Sequence, residues 1–124
     1  VSYFKLVKNH IENSLKQRGF PVQEIKKLGD QAFIFFIISA LVSYSKSMIL
    51  GKTELENGIK CRRKIIDDIL ADSNVSKAIR NYSRSQKESP WIPRAIAWRS
   101  HKLLEFACNR RAKQILRIRR RGKV

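Results

Sequence analysis

The sequence contains few of the residues that break or crosslink a chain. Its 124 residues include five glycines and three prolines. This scarcity favours helices over many short strands, because turns between strands need such residues at short intervals. The two cysteines, Cys61 and Cys108, stand alone without a CxxC pair or a Cys/His cluster, which argues against a structural zinc site. Two distant thiols in a lysine-rich helical chain predict a cytosolic protein without a disulfide.

Sequence motifs for catalysis are missing as well. The chain has no glycine-rich phosphate loop, no Gly-x-Ser-x-Gly elbow and no Asp-x-Asp metal motif. Asp67 and Asp68 lie about 100° apart on a helix, so we interpret them as a solvated patch facing lysines rather than as an acid/base pair. His10 and His101 lack a nucleophile or ligand partner nearby in sequence and are interpreted as surface or boundary residues. We therefore predict no catalytic residue, metal or cofactor in this chain, although distant residues can converge in a fold.

Apolar runs are short. The longest, residues 32–42, is apolar except for Ser39 and falls well below the roughly 20 residues that span a bilayer. We interpret it as part of a central buried helix, with an interfacial segment as the alternative. The first ten residues have no apolar core of a secretory signal. The first residue, Val1, suggests a fragment or a processed chain.

Apolar residues recur at helical spacing through most of the sequence. They predict an all-α bundle of about five helices with a long amphipathic basic C-terminal helix. The expected divisions are a helical core over 1–82, a linker over 83–90 and a basic helical segment over 91–124, all within one domain. Helix boundaries are predicted by Gly19, Pro21, Gly51, a Thr53-x-x-Glu56 capping box and the capping residues at 72–74. A basic group is expected largely on exposed faces: Lys60, Arg62, Arg63 and Lys64.

Positive charge is abundant and unevenly placed. The formal net charge is +17. Residues 1–82 carry 14 Lys/Arg and 8 Asp/Glu, whereas residues 83–124 carry 13 Lys/Arg and 2 Asp/Glu, a net of +11 in the last third. Such asymmetry indicates a phosphate-rich partner, with a merely solvating charged face as the alternative.

Two tryptophans accompany this charge. Trp91 and Trp98 beside arginines suit a membrane interface, where the rings sit at headgroup depth and the guanidinium groups meet phosphates. The same residues would suit RNA or DNA, and a third possibility is an adaptor whose apolar face packs on another protein. In a plainer alternative, the tryptophans pack into the core over residues 32–42. The candidate anion-binding residues are Arg94, Arg99, Lys102, Arg110, Arg111, Lys113, Arg117, Arg119, Arg120 and Arg121.

Two stretches carry a family resemblance: CRRKIIDDILADSNVSKAIRNY (61–82) and SPWIPRAIAWRSHKLLEFACNRRAK (89–113). Together they resemble the C-terminal region of bacterial family 2 glycosyltransferases that assemble surface polysaccharides. The matching residues are Arg62, Arg63, Asn74, Val75, Tyr82, Ser89, Ile92, Pro93, Leu103, Leu104, Ala107, Cys108, Arg111, Ala112 and Lys113.

The resemblance implies a helical tail that follows a nucleotide-sugar-binding catalytic domain. The family's Asp-x-Asp site and catalytic base are not found here, so no catalytic residue carries over. The implied partners are the parent catalytic domain and an anionic membrane surface or lipid-linked acceptor. The expected location is cytoplasmic, peripheral at the inner face of the membrane. No oligomeric state is predicted.

Overall fold

The computed structural model describes residues 3–51, 55–83 and 88–121, with the backbone alone for 55–56 and 119–121. Six helices and no strand occur among these residues, which confirms the all-α class. The helices are α1 (Tyr3–Gln17), α2 (Val22–Ile49), α3 (Leu55–Ala71), α4 (Ser73–Ile79), α5 (Trp91–Ala97) and α6 (His101–Arg121).

Helix ends follow local sequence signals. Gly19 adopts φ +84° after α1, a conformation that costs a glycine little, and the N–H of Phe20 donates to the carbonyl of Leu15 at 3.3 Å. Gly51 adopts φ +70° after α2. Asp72 caps α4, accepting from the N–H groups of Asn74 and Val75 at 2.8 and 3.2 Å. The predicted Thr53–Glu56 capping box lies outside the described residues, as does part of the predicted linker, residues 84–87.

The sequence predicted about five helices, and the described residues form six, because residues 91–121 form two helices rather than one. The break falls at Arg99, whose φ is +53°. The N–H of Ser100 donates to the carbonyl of Ala95 at 3.0 Å, and the N–H of Arg99 donates to that of Ile96 at 3.1 Å. These bonds close α5, and the Ser100 hydroxyl then accepts from the N–H of Leu103 at 3.3 Å to open α6.

α2 lies at the centre of the core and contacts α1, α3, α4 and α6. Each fully buried aliphatic or aromatic side chain contributes about 1.5–3 kcal/mol relative to exposure. The buried cluster comprises Phe33, Ile34, Ile37, Ile38, Leu41, Val42, Ile66, Ile69, Val75, Ala78, Ile92, Ala95, Ile96, Leu104, Ala107 and Cys108.

Only the inner face of α2 is buried, whereas Phe35 and Phe36 on its outer face are 53% and 42% exposed. By length and composition α2 is the one helix in the described part of the chain that could cross a membrane. Of its apolar window, 44% is buried, and the core helix of a globular protein meets the same criteria.

Arg62 corrects one prediction. The basic group at 60–64 was expected on exposed faces, and Lys60, Arg63 and Lys64 are indeed exposed. Arg62 is only 3% exposed, because its position on α3 faces α6 and α2. Polar partners make this burial tolerable: Arg62 donates to the Asn109 side-chain oxygen at 2.5 Å.

Candidate anionic-surface interface on helices α5 and α6

An exposed stripe of two tryptophans and an arginine runs along α5. Trp91, Arg94 and Trp98 occupy positions i, i+3 and i+7, which share one side of a helix. Trp91 is 42% exposed and Trp98 is 64% exposed. The Arg94 guanidinium lies 5.3 Å from the centre of the Trp91 ring, a cation–π distance. The opposite side of α5 anchors it, because Ile92, Ala95 and Ile96 are buried.

A second exposed stripe follows the outer face of α6. Lys102, Phe106, Arg110, Lys113 and Arg117 recur at steps of three or four residues, so they lie along one side. All five are exposed, and Phe106 is 61% exposed. The inner face of α6 fixes its orientation: Leu104, Ala107, Cys108 and Ala112 are buried.

The two stripes adjoin, because α5 and α6 contact each other and are joined by the short connection 98–100. At one end Trp98 precedes Lys102 by four residues. At the other end Trp91 lines a cleft together with Arg110 and Gln114. We define the α5–α6 surface by these eight residues: Trp91, Arg94, Trp98, Lys102, Phe106, Arg110, Lys113 and Arg117.

The remaining candidate cations occupy other positions. Arg99 is exposed but donates to the Ser76 hydroxyl at 2.8 Å, which ties the α5–α6 turn to α4. Arg111 is half-buried and lines grooves toward α2 and residues 88–89. The side chains of Arg119, Arg120 and Arg121 lie outside the described part of the chain.

The alternative that places the tryptophans in the core is wrong for both, since each exposes a large share of its surface. Near the end of α6, Ile118 is 65% exposed.

Phe106 is the surface residue that sequence reasoning missed. It lies four residues after Lys102 and four before Arg110, which is the spacing of one helix face. Only Trp91 and Trp98 were considered as aromatic neighbours of the cations in the sequence. The spacing to its charged neighbours was the signal that could have found it.

A polar network joins α3 to the first half of α6. Glu105 accepts from Arg62 at 3.4 Å and from Arg63 at 3.3 Å. His101 places Nε2 2.6 Å from Glu105 and Nδ1 2.6 Å from Asp67. Asp67 thus faces His101 rather than lysines, and His101 has partners on both ring nitrogens, one of them only four residues away. A neutral imidazole has one N–H, so both contacts are hydrogen bonds only when the ring is doubly protonated.

The network sets the charge of Glu105. Burial by itself raises the pKa of this carboxyl, but the hydrogen bond from His101 and the charges of Arg62 and Arg63 together lower it below its usual 4.5. Glu105 therefore stays ionised at neutral pH. Since its oxygens already face cationic partners, the arrangement suits holding two helices together rather than moving protons.

Other reactive groups are also held inert. Burial raises the pKa of the Cys108 thiol to about 12, which keeps it protonated and weakly nucleophilic at neutral pH. Burial and the hydrogen bond to Glu88 raise the pKa of Tyr82. Among the described residues, no three or more His, Cys, Asp or Glu side chains are grouped so as to hold a metal ion.

Comparisons of the chain with protein-family models, curated proteins and solved structures give no match.

Proposed function

We propose that this chain is a non-catalytic helical module that docks reversibly on an anionic membrane surface through the α5–α6 surface. The observation that supports this most is the exposure of Trp98 and Phe106, at 64% and 61%, within a row of cations. Exposure of an aromatic ring to water is unfavourable in free energy, and transfer of the ring to the headgroup region of a membrane is favourable. Lysine and arginine stems can lie along the same boundary while their charges meet phosphates.

The expected binding free energy of the α5–α6 surface is consistent with reversible attachment to a membrane. Each basic residue near an anionic leaflet contributes about 1 kcal/mol, so the five cations of the α5–α6 surface together supply roughly 5 kcal/mol. Insertion of Trp98 and Phe106 adds a hydrophobic contribution of about 25 cal/mol per Å² of surface removed from water. The combined affinity is far below that of a transmembrane helix.

One exposed side chain favours lipid over nucleic acid. Ile118 is 65% exposed beside Arg117 and has no aromatic face with which to stack on a base. It can insert among acyl chains and headgroups. A nucleic-acid partner remains the competing outcome of the experiment below.

The proposal extends to the sequence resemblance described above. In this wider form α6 is an amphipathic basic helix through Arg121, and the module belongs to a bacterial sugar transferase. It would hold that enzyme at the inner membrane face, near a lipid-linked acceptor. This part rests on residues 61–82 and 89–113 of the sequence. A nucleotide-sugar-binding domain encoded upstream of Val1 would support it, and an unrelated upstream domain would contradict it.

Co-sedimentation with vesicles tests the docking function. We expect the chain to bind vesicles of 30% phosphatidylglycerol in phosphatidylcholine and to remain in the supernatant with pure phosphatidylcholine. The triple variant Lys102→Glu/Arg110→Glu/Arg117→Glu should abolish this binding. The matched control, Lys5→Glu/Lys26→Glu/Lys60→Glu, changes net charge equally at exposed positions on α1, α2 and α3 and should retain most of it.

Equal losses in the two triple variants would show that net charge, not this surface, governs binding, and would contradict the proposal. So would a clear preference for duplex DNA or RNA over the anionic vesicles at the same salt concentration. Salt sensitivity alone does not discriminate, because lipid and nucleic-acid binding are both screened.

A further inference from the structure

A cleft lies between residues 88–91 and α6, at the edge of the α5–α6 surface. Its volume is about 220 Å³, and Trp91, Arg110, Arg111, Gln114, Ser89 and Glu88 contribute to its lining. We propose that this cleft binds the phosphodiester of a phospholipid headgroup. The inference rests on the proposed membrane docking and adds a stereospecific contact to it.

The charges of the cleft match a phosphodiester. Arg110 and Arg111 contribute two positive charges, and Glu88 contributes one negative charge. The Glu88 carboxylate repels a doubly charged monoester more strongly than a singly charged diester, because like charges at close range repel.

Glu88 is held in place by a neighbour outside the cleft. The Tyr82 hydroxyl donates to its Oε2 at 2.6 Å, and burial together with this bond raises the pKa of Tyr82, so the phenol keeps its proton. The carboxylate is therefore a fixed feature of the cleft. It can accept from a hydroxyl-bearing headgroup such as glycerol.

Donors and an apolar wall complete the cleft. A guanidinium can give a phosphate two parallel N–H bonds, and the Gln114 amide offers further donors. The Ser89 hydroxyl accepts from the N–H of Trp91 at 3.3 Å and still carries its own proton to donate. The Trp91 ring, held by Arg94 at 5.3 Å, forms an apolar wall beside these donors.

The fluorescence of Trp91 provides a direct test. The chain has two tryptophans, so Trp98→Phe leaves Trp91 as the only one and serves as the parent for all variants. We expect vesicles of 30% phosphatidylglycerol and the soluble diester glycerophosphoglycerol to shift the Trp91 emission of this parent. Inorganic phosphate at pH 8 and matched ionic strength should shift it much less. The soluble diester distinguishes occupation of the cleft from adsorption to a membrane.

Arg110→Lys keeps the charge and removes the paired donors, so vesicle affinity should fall roughly tenfold and the response to the soluble diester should disappear. Arg18→Lys, the same exchange at an exposed arginine that lies outside both the cleft lining and the α5–α6 surface, should behave like the parent. Equal behaviour of Arg110→Lys and the parent would overturn the cleft while leaving membrane docking intact. A response to the soluble diester without vesicle binding would support the cleft and overturn docking, and an equal or larger response to RNA would overturn the lipid headgroup as its occupant.

Discussion

At the scale of single residues, Glu105 links the surface to the fold. It lies on the same helix as Lys102 and Phe106, between them in sequence, and binds Arg62 and Arg63 of α3. Arg62 is nearly inaccessible, with 4% of its side chain exposed, so its charge depends on this partner and on Asn109. Removal of one member of such a pair leaves the other charge buried without compensation.

Glu105→Gln should lower the free energy of unfolding by about 2–3 kcal/mol at pH 7, because Arg62 loses its carboxylate partner. The folded-state pKa of Glu105 is below its usual 4.5, so its contribution is complete above that value and disappears as pH falls through the folded pKa. The difference in the free energy of unfolding between wild type and Glu105→Gln should therefore become smaller at acidic pH. Urea unfolding from pH 3 to pH 7 measures it. Glu24→Gln, at an exposed position on α2, is the control and should show no comparable gap.

Trp98 and Phe106 provide a second residue-scale prediction. Trp98→Ala/Phe106→Ala should change the free energy of unfolding by less than about 1 kcal/mol, because both side chains are largely exposed. The same variant should bind anionic vesicles at least tenfold more weakly. Leu104→Ala, at a fully buried position, should instead cost about 2–5 kcal/mol of stability. Strong destabilisation by the double variant would show that the rings support the fold.

At the scale of elements, the break between α5 and α6 orients the interface. A continuous helix over 91–121 would carry Trp91 away from Arg110, whereas the turn at 98–100 folds the two stripes side by side. Arg99 adopts a left-handed conformation there that costs a non-glycine residue about 1 kcal/mol, and it gains a hydrogen bond to Ser76.

Substitutions at Arg99 separate these two effects. Arg99→Ala should destabilise the protein, because it loses the hydrogen bond and keeps the backbone strain. Arg99→Gly loses the same bond but relieves the strain, so it should be more stable than Arg99→Ala by about 1 kcal/mol. Thermal unfolding of the two variants measures the difference. A more stable alanine variant would be inconsistent with the left-handed turn.

At the scale of the whole molecule, a small apolar core supports a net charge of +17. Self-repulsion of this size opposes the compact state at low ionic strength. The ion pairs in the described structure, such as Lys8 with Asp30 at 3.0 Å, are few beside the excess of cations. Added salt should therefore stabilise the fold, because it screens the repulsion among the excess cations more than it weakens the few ion pairs.

We expect the midpoint of thermal unfolding to rise by several degrees between about 10 and 200 mM sodium chloride, over which the screening length falls from roughly 30 Å to below 10 Å. The triple variant Lys5→Glu/Lys26→Glu/Lys60→Glu, with six fewer positive charges in net terms, should show a smaller rise. A midpoint that falls with salt would show that attractive pairs dominate the electrostatics.

Local patterns predicted most of the secondary structure. Helical periodicity, Gly19, Gly51 and the Asp72 cap depend on residues within a few positions of one another, and each is found as expected. The division of 91–121 was not predicted, because Arg99 is an unusual residue for a left-handed turn. The candidate cations were chosen by composition, so Arg99, which binds Ser76, and the half-buried Arg111 were grouped with the five exposed cations of the α5–α6 surface.

The sequence by itself determined the helical class, the helix boundaries with local caps, and the concentration of charge beyond residue 83. Tertiary structure alone decided that Trp91 and Trp98 are exposed, that Phe106 joins the cations and that Arg62 is buried. It also brought His101 between Asp67 and Glu105. The physical reason is distance along the chain: caps and periodicity act over one or two turns, whereas exposure and pairing depend on how α3 and α5 pack against α6.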